Sequence, residues 1–84
     1  MLTTENEEFW TEEREEVYKA ALGLVVKDQK VSISLLQRKL SIGYLYAGRL
    51  LERMEKDGYI GPFEGSRDRK IFITQAQYDE KYPD

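Results

Sequence analysis

No cysteine and no histidine occur in the 84 residues. The first absence excludes disulfides and cysteine-ligated zinc, and permits a reducing compartment. The second removes the usual general base and the commonest metal ligand. Catalysis would have to rest on carboxylates, lysines or hydroxyls. The carboxylates crowd one stretch near the N-terminus, with no base, nucleophile or metal set beside them. A phosphate-binding loop, G-x-x-x-x-G-K-[ST], is also missing, so ATP hydrolysis is excluded. Neither a cofactor nor an enzymatic activity is expected. Ala20 to Val26, the longest apolar run, is interrupted by Gly23 and falls far short of the roughly 20 residues that span a bilayer. Met1 to Glu8 is acidic where a secretion signal would be basic and then apolar. These features imply a soluble, cytoplasmic protein with no membrane partner.

What the chain does hold is enough for a single hydrophobic nucleus. A chain of this length buries only about 60–65% of its unfolded surface, which favours large buried groups, and 12% of the residues are aromatic, six of them Tyr. The net charge of −3 hides a division. Residues 1–16 hold seven Glu and one Arg, residues 17–78 hold eleven Lys/Arg against six Asp/Glu, and the last six residues are again acidic. The middle is therefore basic, and phosphates respond to local rather than total charge. Glu12, Glu13, Glu15 and Glu16 suit the positive end of a helix dipole, so the acidic head reads as a solvated helix start rather than as a binding arm.

Val17, Ala20, Ala21, Leu24 and Val25 recur at helical spacing, which predicts a first helix from Thr11 to about Asp28. Phe9 and Trp10 precede it as a hydrophobic staple or as core. Lys30 to Ile33 reads as a short extended piece. Ser34 and Gln37 have capping-box spacing, for a second helix from about Leu35 to Leu40. Ser41-Ile42-Gly43 then makes a tight turn, with Gly43 expected to take the unusual backbone angles. A third helix runs from about Tyr44 to Asp57 and stops at Gly58. Its core stripe is Ala47, Leu50, Leu51 and Met54, which turns Leu45, Arg49, Glu52, Arg53 and Lys56 outward. Tyr59-Ile60 and Lys70 to Thr74 read as the strands of a two-stranded hairpin around a turn from Pro62 to Arg69. Thr74-x-x-Gln77 caps a last short helical turn before Pro83. The order of elements is that of a winged helix: an α+β, mainly helical domain of three helices with a helix-turn-helix and a β-hairpin wing.

In such a fold the third helix can enter the major groove while the second crosses the phosphate backbone. Cations are offered by three elements: Arg49 and Arg53 on the third helix, Gln37, Arg38 and Lys39 (two cations and an amide) on the second, and Arg67, Arg69 and Lys70 at the hairpin tip. Tyr44, Leu45 and Tyr46 complete the set. Tyr44 suits turn packing better than ligand contact, and Tyr46 fits a phosphate hydroxyl contact or partner packing equally well. The plainer alternative for Arg49 and Arg53 is pairing with Glu52 and its neighbours on a solvated helix face.

The stretch from Ser32 to Thr74 closely resembles the gamma domain at the C-terminus of the FtsK/SpoIIIE DNA translocases. Its markers are Gln37-Arg38-Lys39, Ile42-Gly43-Tyr44, Ala47-x-Arg49-Leu50 and the run GPFEGSRDRK from Gly61 to Lys70. The resemblance implies a winged helix that reads short DNA sequences and gives direction to an ATP-driven motor, and a family domain that also touches a site-specific recombinase. One departure stands out. Where the family pattern has Asn-Arg-Ala-Ala-Arg, with the first two residues as the expected base readers, this chain has Leu45 and Tyr46, while Arg49 matches the later arginine. The expected organisation is an acidic arm over residues 1–10, a winged-helix DNA-binding domain over 11–78 and a short tail over 79–84. The expected partner is double-stranded DNA, with sequence specificity changed or lost. The alternative is a protein-interaction module that grips a recombinase, a motor ATPase or a second copy; monomer and homodimer are both open.

Overall fold

The computed structural model describes residues 8–65 and 68–83. Four helices lie wholly within the described residues, in order α1 (Glu12–Asp28), α2 (Ile33–Leu40), α3 (Tyr44–Lys56) and α4 (Gln75–Lys81). Each start has a chemical cause. The Arg14 amide donates to Thr11 Oγ1 at 3.2 Å to open α1, and Thr74 and Gln77 form a full capping box for α4. The expected box at Ser34 does not form. Ser32 caps α2 instead, its hydroxyl accepting the Leu35 amide at 3.1 Å, and the helix therefore begins at Ile33. Two serines competed for that role, and Ser32 has the extended backbone that a cap requires (φ −159°, ψ 163°). The piece before it is extended without a strand partner among the described residues.

The tight turn after α2 also differs from expectation in which residue bends. Ser41 takes the left-handed conformation (φ 55°), whereas Gly43 caps α3 with ordinary extended angles. Gly58 does take the positive φ expected of a residue just past a helix end (83°).

The core gathers Tyr18, Ala21, Leu22, Val25 and Val26 of α1, Val31, Leu36 of α2, Ala47, Leu50, Leu51 and Met54 of α3, then Ile60 and Ile73. The stripe on α3 is the expected one. That on α1 is turned by about one residue: Val17 and Leu24 are only half-buried, Ala20 is exposed, and Tyr18 lies fully buried. The run Val17 to Val26 is apolar almost all round, so its periodicity cannot fix the phase. The observed phase buries the Tyr18 ring with Leu22 and Val26, and the Tyr18 hydroxyl donates to Asp57 Oδ2 at 2.7 Å, which satisfies a buried polar group.

The wing is reduced. Among the described residues no regular strand forms; the two runs meet at an antiparallel bridge, Ile60 to Ile71, and Glu64 also stands in a bridge position. The Gly61 amide donates to the Lys70 carbonyl at 2.8 Å, and the Tyr59 carbonyl accepts from both Phe72 and Ile73. The return bond of that pair, from the Lys70 amide to the Gly61 carbonyl, is not made; the Arg69 guanidinium takes the Gly61 carbonyl instead, at 3.1 Å. The fold is therefore a mainly helical domain whose hairpin stays a bridged loop packed by Ile60 and Ile73.

Two glycines sit within helices, where glycine costs up to about 1 kcal/mol relative to alanine. At Gly23 an added Cβ would lie 3.0 Å from the Tyr78 hydroxyl, which donates to the Lys19 carbonyl and ties α4 to α1. At Gly48 an added Cβ meets nothing within 4 Å. Gly48→Ala is thus expected to stabilise by about 0.5–1 kcal/mol and raise Tm by about 2–6 °C. Gly23→Ala is expected to gain less or to lose stability. Equal gains at both positions in thermal melts would deny Tyr78 its seat on α1.

Candidate nucleic-acid interface

With Ala47, Leu50, Leu51 and Met54 turned inward, the helical period places Leu45, Arg49, Glu52 and Lys56 along the opposite side of α3. Leu45 is 81% exposed, and its neighbour Tyr44 is 63% exposed rather than packed into the turn as expected. The first-turn amides of α3 receive no side-chain cap from Gly43. Just before that turn, Arg38 and Lys39 stand exposed in the last turn of α2, while Gln37 is half-buried. Cations at that place also suit the negative end of the α2 dipole.

Arg49 has a specific support. Its guanidinium lies over the Phe9 ring at 4.6 Å from the centroid. The same ring carries the Arg14 guanidinium at 4.5 Å and meets Trp10 and Tyr46 edge-on at 4.9 and 5.7 Å. Arg14 also donates to the Phe9 carbonyl at 2.9 Å. Phe9 and Trp10 thus fold back onto α1 and α3, Tyr46 is half-buried in this aromatic cluster, and burial, only partly opposed by Arg14, raises the Tyr46 hydroxyl above its ordinary pKa.

Arg53, read from the helical period as outward, is turned against α1. It stacks over Tyr18 at 4.0 Å and Trp10 at 4.5 Å, and its guanidinium bonds Glu15 at 3.0 Å and approaches Asp57 at 3.5 Å. Burial alone would lower its pKa, but the hydrogen bond and charge of Glu15 outweigh that. Here the acidic head of α1 acts as an internal partner. A cleft of about 340 Å³ between Trp10 and the outer stripe of α3 is lined by both Arg49 and Arg53.

Arg69 is likewise held inside the molecule. It donates to Glu55 Oε1 at 3.3 Å and to the Gly61 carbonyl at 3.1 Å, clamping the bridged loop to α3. Lys70 beside it is exposed, and Arg67 lies outside the described residues. On the loop side of α3 a groove of about 470 Å³ has Gln37, Tyr44, Phe63 and Arg69 among its walls, with Phe63 70% exposed. Arg38 and Lys39 are thus exposed at the end of α2 and Tyr44 and Leu45 at the start of α3, Arg49 is half-buried against Phe9, and Arg53 and Arg69 are held in ion pairs with Glu15 and Glu55. Phe9 and Trp10 fold back as their place before α1 suggested, whereas the intramolecular roles of Glu15 and Glu55 were not foreseen from sequence.

No helix among the described residues is long and apolar enough to cross a membrane. The family described as the Ftsk gamma domain matches residues 12–74. The chain is 41% identical over 80 residues to DNA translocase SpoIIIE of Bacillus subtilis, covering 95% of this chain and 10% of that protein. It is 44% identical over 66 residues to DNA translocase FtsK of Bacillus cereus, covering 79% and 8%. Over 62 residues it is 45% identical to DNA translocase FtsK of Streptococcus agalactiae, covering 74% and 8%. The chain thus spans about a tenth or less of the length of these relatives.

Proposed function

The chain belongs to the FtsK gamma-domain family, and from that premise we propose that it is a module that binds double-stranded DNA, laying the exposed start of α3 in the major groove. The observation that carries this reading is the start of α3 itself: Leu45 and Tyr44 stand clear of the body, Arg49 follows one turn on, and Arg38 and Lys39 immediately precede. A groove about 12 Å wide admits such a helix, and phosphates are met by arginine, lysine and helix N-terminal amides. A DNA partner also agrees with the relatives being DNA translocases. Lys70 on the bridged loop is a further phosphate contact in this reading. Arg53 and Arg69 act through the fold, holding α3 against α1 and the loop against α3. The translocases' motor activity is not ascribed to this chain, which has no phosphate-binding loop.

The test is titration of a fluorescent duplex across a range of salt. Binding is expected at low salt, with log affinity falling linearly against log salt by about one unit for each phosphate neutralised. A protein that leaves every duplex free at low salt refutes the reading. The exposed apolar side chains Tyr44, Leu45 and Phe63 favour a second function, contact with a protein partner or a second copy. Sedimentation separates the two: a concentration-dependent dimer indifferent to duplex supports the protein contact.

A further inference from the structure

We propose that Leu45 is a specificity-determining residue that reads the C5-methyl group of a pyrimidine in the major groove, thymine being its standard source. The inference rests on the DNA reading above. Leu45 is the second residue of α3, 81% exposed, and on the face opposite the core stripe. It offers methyl groups and neither a donor nor an acceptor. Among the groups that base pairs present in the major groove, the thymine methyl is the apolar one, and every other feature is a hydrogen-bond donor or acceptor that a leucine would desolvate without satisfying. A leucine at the leading edge of a groove-entering helix is therefore favoured over T·A pairs and disfavoured over unmethylated C·G pairs. Arg49 follows one helical turn later on the same stripe, about 6 Å along the axis, so that a charged and an apolar contact fall on neighbouring positions of one site. Tyr44, exposed beside Leu45, widens the apolar edge.

The chemistry is testable by removing a single methyl. The probes are a short duplex of alternating adenine and thymine, the same duplex with deoxyuridine for every thymine, and a C·G duplex with and without 5-methylcytosine. The protein is expected to bind the thymine duplex about fourfold more tightly than the uracil duplex for each methyl contacted, equivalent to ~0.8 kcal/mol. In Leu45→Ala the thymine-to-uracil ratio is expected to fall to about one, whatever the variant's overall affinity. The side chain is exposed, so the variant is expected to melt like the wild type. A gain on 5-methylcytosine as well means that the methyl alone is read; a gain confined to thymine restricts the contact to T·A pairs, and both support the proposal. Equal binding of the thymine and uracil duplexes by the wild-type protein overturns it while leaving DNA binding intact, as does a preference that survives in Leu45→Ala. Failure to bind any of the four duplexes at low salt removes the DNA reading and this inference together.

Discussion

Tyr18→Ala is expected to cost about 3–5 kcal/mol, the range for emptying an aromatic site in a packed core, whereas Tyr18→Phe is expected to cost only about 1 kcal/mol. Against the 5–15 kcal/mol typical of a whole domain, the first substitution leaves little stability at 37 °C. The difference between the two variants separates ring packing from the hydroxyl. The ring is fully buried, edge-on to Trp10 at 5.7 Å and beneath the Arg53 guanidinium. Its hydroxyl is satisfied by Asp57, so Phe removes a hydrogen bond without stranding a buried donor. Chemical denaturation measures both, and a Tyr18→Phe loss as large as that of Tyr18→Ala would place the energy in the hydrogen bond instead. The same residue governs an alkaline limb. Burial first, then the hydrogen bond and charge of Asp57, push its hydroxyl far above the ordinary tyrosine value. A pKa raised on folding contributes stability that is full below the unfolded value, about 10, and is lost as pH rises above it toward the folded value. Stability is therefore expected to fall above about pH 10, with a shallower fall in Tyr18→Phe.

Arg49→Ala is expected to weaken duplex binding by about 1–3 kcal/mol, roughly 5- to 150-fold, and to flatten the salt dependence by about one. It also gives up the stacking on Phe9, a contact of the class worth about 0.5–1 kcal/mol at exposed sites, and melts of the variant read that loss separately. Arg53→Ala supplies the contrast. It abandons two aromatic faces and the pair with Glu15, so it is expected to destabilise by about 1–2 kcal/mol while the salt slope stays as in the wild type. Binding isotherms at several salt concentrations, run beside melts of both variants, decide the matter. A flattened slope in Arg53→Ala with none in Arg49→Ala would exchange the roles of the two arginines.

Periodicity was reliable where one helix face is apolar and the other charged, as on α3, and where a side-chain oxygen or glycine marks an end, as at Thr11, Gly58 and Thr74. It failed on α1, because apolar residues surround that helix and the buried face is chosen by tertiary packing, in which the Tyr18 hydroxyl finds its acceptor on a residue 39 positions away. The arginines show the same limit. A helical wheel places Arg53 outward because it knows only its own helix; the partner that turns it back, Glu15, is 38 residues distant, and Glu55, which captures Arg69, is 14. The strands were overread because alternation marks residues that suit pairing, whereas a ladder also needs each inward carbonyl to be left for the other strand, and the Arg69 side chain takes that of Gly61. The exposed start of α3 was legible in outline, since the stripe that buries Leu50 also fixes where Leu45 points.

The strap of Phe9 and Trp10 lies ahead of residue 12, where the family match begins. A fragment trimmed to the matched residues would keep every cation proposed to meet phosphate, yet it would lose the Phe9 ring beneath Arg14 and Arg49 and the Trp10 face of Arg53, leaving Tyr46 under Arg14 and Tyr18 under Arg53. Those long side chains would then sample many more rotamers, and a weaker grip on nucleic acid would reflect arms left unbraced rather than contacts removed.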